Sequence, residues 1–413
     1  MANRKSNNSN FSITNESPNI SWIPSTPGLR VSHTFSITST SFRLLETHYF
    51  YILTPWIALL LVFIPLGYIA HAFNWNDAWV FILNFLAIIP LAIIFEYAID
   101  DISLRFGQTI GDLLLATFSN TVEIIISISA LKDGQIRVVQ DSILGSIILN
   151  LLLILGISFT RVGISSKTQK FNQIVARTSS SLMTLACIAL IIPAAFVHSL
   201  GSNQNNHNEQ LSYLSYGTAM VLLIIYILYL VFQLKTHSHI FQRPHKEDKE
   251  PKLPLVVSLI LLATVTCAVA FSEFLVSSIE GIVHTFGITK AFIGLIILPI
   301  VNKASELLQT LSSAADDEID LDFAISLAAG SSMHIAFFVS PLLVILGWVT
   351  GQEMTLYFKS FETIVLFISV LMTYYIIQNG ESNWLKGVLF LATYVIIAIA
   401  FFFYPDEPLS YQM

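Results

Sequence analysis

Charge is the scarcest commodity in this sequence: 11% of its 413 residues are Asp, Glu, Lys or Arg, against about 25% in a soluble domain. Such a chain cannot coat itself for water, which excludes an ordinary soluble enzyme or binding module. Basic residues are fewer than acidic ones, 20 against 27, for a net charge of −7. Phosphate backbones are bound by clustered Lys and Arg, so nucleic acid is excluded as a partner. Cysteine is nearly missing, and both Cys187 and Cys267 lie in apolar runs. That leaves no disulfide framework and no Cys-x-x-Cys metal site. Neither His-Glu-x-x-His nor Gly-x-Gly-Asp occurs, which argues against an intramembrane enzyme.

What the sequence does have is apolar length: 54% of residues are hydrophobic and the mean hydropathy is +0.70. A helix needs about 20 apolar residues to cross a bilayer. Runs at 49–71, 77–99, 111–131, 138–160, 174–197, 213–234, 254–272, 290–311, 323–348, 360–378 and 384–404 predict an all-α polytopic membrane protein of about eleven spans. Lipid is therefore its main solvent. Residues 1–45, rich in Ser, Asn and Thr, are expected to form a disordered tail.

Lys and Arg favour the cytosolic side of membrane proteins. With a cytosolic N-terminus, that side holds Arg4, Lys5, Arg30, Arg43, Arg105, Arg161, Lys167, Lys170, Arg177, Lys235, Arg243, Lys246, Lys249, Lys252 and Lys386. The opposite side holds only Lys132, Arg137, Lys290 and Lys359, and Lys303 falls inside a span. The C-terminal tail, 405–413, is then lumenal. Asn7, Asn10, Asn15 and Asn19 head glycosylation sequons that only a lumenal tail would use; in so Asn/Ser-rich a stretch they read as chance.

The sequence also repeats itself. Phe106-Gly107 recurs as Phe286-Gly287, Glu123 as Glu306, and Gly145-Ser146 as Gly330-Ser331. The expected units are 77–234 and 254–404, joined by a cytosolic loop at 235–253, with one further helix, 46–72, before them. Five spans per unit is an odd number, so the copies enter the membrane from opposite sides. Inverted repeats of this kind build secondary transporters, with the ion site near the midplane.

Ionisable residues inside spans are costly, about 3 kcal/mol each on insertion scales, and so mark function. Glu123 and Glu306 are such residues, and the repeat relates them. Asn120 lies one turn before Glu123. Ser146, Asn150, Ser331, Ser332 and His334 stand in the next span of each repeat. Hydroxyl, amide and carboxylate oxygens are hard ligands, suited to Ca2+ or an alkali cation. Each serine alone reads more readily as a small packing residue, and His334 equally as a proton carrier or a packed polar group. Asp100, Asp101 and Glu273 lie at span ends as candidate acidic mouths for cations. Glu96, Asp112, Asp141 and Glu280 gain no role from spacing, and the acidic run 316–322 reads as a solvated loop.

The stretches Phe106 to Gly156 and Glu273 to Gly347 make the chain resemble the calcium/proton exchanger family, within the calcium:cation antiporter superfamily and nearest its fungal vacuolar members. The likeness runs from Tyr49 to Tyr404. That family carries Gly-Asn-Ala-x-Glu in each repeat. Here the motifs read Ser119-Asn120-Thr121-Val122-Glu123 and Asn302-Lys303-Ala304-Ser305-Glu306, so Lys303 stands where the family has Asn. Leu307 replaces a His, His334 a Gln, and Leu149 a small polar residue. The resemblance implies one extra N-terminal helix, five plus five inverted helices, a vacuolar membrane, and no cofactor. Glutamates at the positions of Glu123 and Glu306 would bind Ca2+ and H+ in alternation.

Lys303 divides the functional expectation. A charged Lys303 leaves the two glutamates with a net −1, which suits Na+ or K+ better than Ca2+ or Mn2+. Calcium stays in play if Lys303 is neutral or snorkels away, and Asn302, four residues before Glu306, then offers a replacement amide. A non-transporting membrane regulator with a decayed site is the third reading.

Overall fold

The computed structural model describes residues 59–165, 169–200, 207–238, 251, 253–270, 273–313 and 321–405. The tail 1–45, the start of the first span, most of the loop 235–253, most of the acidic run 316–322 and nearly all of the C-terminal tail lie outside them. In chain order the helices are α1 (Phe63–Ala72), α2 (Asp77–Ser103), α3 (Gly107–Phe118), α4 (Thr121–Lys132), α5 (Ile136–Ile164), α6 (Gln173–Leu200) and α7 (His207–Val231). After the linker come α8 (Leu255–Ser277), α9 (Ile279–Phe286), α10 (Lys290–Asn302), α11 (Ala304–Ser313), α12 (Leu321–His334, continuing through a π turn to Thr350), α13 (Ser360–Ile377) and α14 (Trp384–Phe402).

Among the described residues eight helices are long and apolar enough to cross a membrane, or nine if α10 and α11, bent by 56° at their junction, count as one span. Of the expected eleven, the run 111–131 is divided at Ser119-Asn120 into α3 and α4, and the first span lies partly outside the described residues, which contain its α1 portion.

The helix starts follow capping chemistry. The Asn76 side chain accepts from Ala78 N at the head of α2 (3.0 Å), Thr289 from Phe292 N at α10 (3.1 Å), and Asn383 from Lys386 N at α14 (3.0 Å). Pro90 sits inside α2, as membrane helices tolerate when neighbours satisfy the freed carbonyl.

The repeat is visible in backbone geometry. The residues at the two breaks, Asn120 and Lys303, share one non-helical conformation (φ −105°, ψ 19° and φ −104°, ψ 14°). Both α5 and α12 carry a π turn, at Leu149–Ile154 and Ile335–Val339. Burial then sorts the layers. In α5, 83% of the apolar window is buried, against 17% for the span containing α7 and 20% for α8. Helix α5 is thus the hub of the bundle, while α7 and α8 turn apolar side chains such as Met220, Ile224, Ile227 and Leu259 outward to lipid. Helices α5 and α14 cross closely on glycine: a Cβ on Gly163 would lie 2.0 Å from Trp384 N, and one on Gly387 2.2 Å from Thr160 N.

Contacts between loops separate into two sets. One set joins strand β1 (Gln169–Lys170) antiparallel to β2 (Glu381–Ser382), Asn172 N to Asp322, and Arg105 to the Leu253 carbonyl. The other joins Glu280 to Gln135 (3.2 Å) and Lys290 (2.9 Å), and Arg137 to Glu362 (2.9 Å). Each set links loops that the alternation of spans puts on one side of the membrane.

Asp101 belongs to the first set. Its buried carboxylate accepts from Arg105 (2.9 Å), Ser258 Oγ (2.7 Å) and Leu253 N (3.2 Å), clamping α2 to the start of α8. Removing one partner of a buried charged network is strongly destabilising. Asp101→Ala is therefore expected to cost about 3 kcal/mol, seen as a lower thermal unfolding midpoint in detergent, whereas Asp100→Ala, at an exposed position, leaves the midpoint unchanged.

Candidate functional site

The two broken helices bring the repeats together. Glu123 and Glu306 each sit in the first turn after a break, in α4 and α11. A helix N-terminus carries partial positive charge and unpaired N–H groups, so it favours a carboxylate there. Both side chains are buried, at 1% and 3% exposure.

Between them lies the ammonium of Lys303. Its Nζ is 3.1 Å from Glu306 Oε1 and 3.5 Å from Glu123 Oε2, donates to Ser331 Oγ at 2.8 Å, and donates to Asn120 Oδ1. Lys303 is 1% exposed, so it does not snorkel. Ser331 Oγ also donates to Glu306 Oε1 (2.8 Å), and Asn120 Nδ2 faces His334 Nδ1 at 2.7 Å. In that geometry the ring nitrogen accepts from the amide, and the imidazole fixes the amide so that its oxygen faces Lys303. Aromatic rings of Tyr226 and Phe338 pack on His334. The four oxygens around Nζ come from α4, α11, α12 and the α3–α4 break. This is an oxygen cage around one positive charge, the environment a hard cation seeks.

Several acceptors in the cage remain open. Among the described residues, neither oxygen of Glu123 and not Oε2 of Glu306 makes a hydrogen bond of normal geometry, and the hydroxyl of Ser146 faces Glu123 without one. Asn150, in the π turn of α5, is fully buried with both amide atoms unpaired. Buried polar atoms are nearly always satisfied in proteins, so this concentration marks the place where a polar or ionic guest would be held.

The other expected site residues fall elsewhere. Asn302 turns away from the glutamates: its Nδ2 lies 3.4 Å from Ser142 Oγ on α5, and its Oδ1 is unpaired. Ser332 spends its hydroxyl on the Ala328 carbonyl one turn back (2.8 Å), a packing role. Asp101 is the clamp described above, and Glu273 and Asp100 are exposed. Sequence reasoning gave Glu96 and Asp141 no role. Glu96 Oε1 accepts from Gln309 Nε2 on α11 at 2.7 Å, one helical turn from Glu306. Asp141 is 2% exposed with Oδ1 unpaired, near the Arg137–Glu362 pair. A charge within an apolar span was the signal for both, and spacing alone could not say which neighbours it meets.

The profile of the sodium/calcium exchanger protein family matches residues 76–235 and 256–403, one match on each side of the linker. The chain is 45% identical over 359 residues to a vacuolar calcium ion transporter of Schizosaccharomyces pombe, covering 86% of each protein. It is 40% identical over 367 residues to a Ca2+/H+ antiporter of Aphanothece halophytica, covering 84% of this chain and 96% of that one. Among solved structures it is similar to native YfkE, with a TM-score of 0.72, 34% identity, and coverage of 84% of this chain and 100% of that one.

Proposed function

The chain belongs to the sodium/calcium exchanger family, and from that premise we propose that it is a proton-coupled antiporter moving Ca2+ from the cytosol into the vacuole in exchange for H+. The observation that carries this is the convergence of Glu123 and Glu306 on a single cation position, 3.5 and 3.1 Å from one ammonium nitrogen. Two carboxylates so placed hold either protons or a hard cation, and one cannot bind without releasing the other. Coupling then needs no catalysis and no cofactor. The proton gradient of an acidic compartment supplies the energy, as in a secondary active transporter. Asn120, Ser331 and Ser146 complete the oxygen cage, and His334 positions Asn120. Alternating access comes from α2 and α8 rocking past the site, around the two breaks.

The proposed units are repeat 1 at 77–234 and repeat 2 at 254–404, with the linker 235–253 cytosolic and the C-terminal tail lumenal. Support comes from the bias of Lys and Arg and from the two separate sets of loop contacts. In a background lacking Cys187 and Cys267, cysteines replacing Lys170 and Lys386 are expected to react with an impermeant thiol reagent from the cytosolic face of intact vacuoles. Cysteines replacing Lys290 and Lys359 are expected to react only after permeabilisation, and the reverse pattern would invert the topology.

One observation favours a second reading. With Lys303 inside the cage, Glu123, Glu306 and Lys303 together carry −1, which matches a monovalent cation such as Na+ or K+. Mn2+ shares the oxygen preference of Ca2+ and belongs with the first reading. Proteoliposomes loaded with acid and offered Ca2+, Mn2+, Na+ or K+ outside test these readings side by side. Absence of any cation uptake that collapses with the pH gradient would overturn both and favour a non-transporting regulator.

A further inference from the structure

The charge count around Lys303 does not stop at the two glutamates. Glu96, on α2, is docked on the opening turns of α11: Gln309 Nε2 donates to its Oε1 at 2.7 Å, and the hydroxyl of Ser305, the residue before Glu306, is its other hydrogen-bond partner. Both Lys303 and Glu306 lie within electrostatic reach of it. Two buried acids have cations of their own, Asp101 with Arg105 and Glu362 with Arg137, each at 2.9 Å. Glu96 is in no such direct pair among the described residues and is held by neutral donors, with Lys303 as the cation whose field it feels.

We propose that Glu96 is the charge-compensating carboxylate of the exchange site, offsetting Lys303 so that the cluster of Glu96, Glu123, Glu306 and Lys303 presents a net −2 to a divalent cation. This rests on the exchange reading above and deepens it, because it decides the valence of the cargo. A cluster of −1 would hold Ca2+ at the cost of a buried positive charge, whereas −2 is neutralised by one Ca2+ or by two protons. Charges in a medium of low dielectric constant act on one another over longer distances than in water, so one such charge can decide affinity. Glu96 is not one of the groups around the Lys303 ammonium; it acts through the local field and by holding Ser305 and Gln309, and so the start of α11, in place. It is a specificity residue rather than a ligand.

The test is a charge cycle read by binding. Purified full-length protein in detergent is titrated with Ca2+, and with K+ at matched ionic strength, and its thermal unfolding midpoint is followed. E96Q is expected to weaken Ca2+ stabilisation at least about tenfold in apparent Kd, equivalent to about 1.4 kcal/mol, while K+ changes little. Adding K303N to E96Q returns the count to −2 and is expected to bring Ca2+ affinity back toward the native value. K303N alone, at −3, is expected to bind Ca2+ more tightly, and this variant keeps the proposal testable if E96Q fails to fold. Native Ca2+ affinity in E96Q, no recovery in the double variant, or no gain in K303N would each overturn the charge count. Flux distinguishes the two claims. Protein that binds Ca2+ with this charge dependence yet moves none against a proton gradient overturns the exchange reading alone. Proton-driven Ca2+ uptake unaffected by E96Q overturns the compensation alone.

Discussion

Glu306→Gln is expected to abolish proton-driven Ca2+ uptake into acid-loaded proteoliposomes, with a loss of at least about a hundredfold, and Glu123→Gln is expected to do the same. The substitution preserves shape, and a glutamine at 306 still accepts from Ser331 Oγ, which now lies 2.8 Å from Glu306 Oε1. What disappears is one negative charge and the titratable oxygen pair that the second repeat brings to the cage. Lys303, 1% exposed, is then left with a single neighbouring carboxylate in the cage, and leaving a buried charge short of a partner costs about 3 kcal/mol or more. The cation-loaded state suffers further, because an arriving Ca2+ meets a cluster of Glu96, Glu123 and Lys303 that carries only −1. The substitution also removes one of the groups that would carry a proton back. Thermal unfolding midpoints close to native would show that transport, rather than folding, was lost. Uptake within about twofold of native in either variant would remove that glutamate from the mechanism.

The second large effect concerns packing. Gly145→Val is expected to lose both transport and much of the folded yield, whereas Gly330→Ala, at the position the repeat pairs with Gly145, is expected to be nearly silent. A Cβ at Gly145 would lie 2.1 Å from the Leu295 carbonyl oxygen and 2.6 Å from Pro299 Cγ, so the backbones of α5 and α10 approach closely at this point. At Gly330 a Cβ would meet nothing within 4 Å among the described residues. Overpacking a tight contact costs about 1–3 kcal/mol for small insertions, and here the obstacle is backbone on a helix that ends at the Lys303 break. Pushing α10 away from α5 would also separate Asn302 from Ser142 and carry Lys303 off Asn120. Detergent-solubilised yield and Ca2+ uptake measured together for Gly145→Ala, Gly145→Val and Gly330→Ala check this. Equal tolerance at both glycines would mean that the close crossing is not needed.

The two glycines show how far sequence reading reaches. Self-similarity paired Gly145-Ser146 with Gly330-Ser331, and the two spans each carry a π turn. It could not say that only one of the glycines lies under another helix, because an inverted repeat relates the units without making their packing partners identical. Asn120 and Lys303 give the opposite lesson. They are related by the same offset as the glutamates and share one backbone conformation, yet what matters chemically is that their side chains meet each other. No spacing rule states that contact, since it runs between the two repeats.

Depth and periodicity are local properties, and they determined a great deal: an all-helical membrane protein, two halves on either side of a polar linker, and Glu123 and Glu306 as the charges that need a reason. These follow from the cost of placing polar groups in lipid, which each segment faces by itself. The tertiary structure decided the rest. It turned Lys303 inward to an oxygen cage instead of outward to the interface, sent Asn302 to Ser142, tied Asp101 to Ser258, and set Glu96 against the first turns of α11. Each of those outcomes depends on which helix faces which, and a buried side chain takes its partners from across the bundle rather than from its neighbours along the chain.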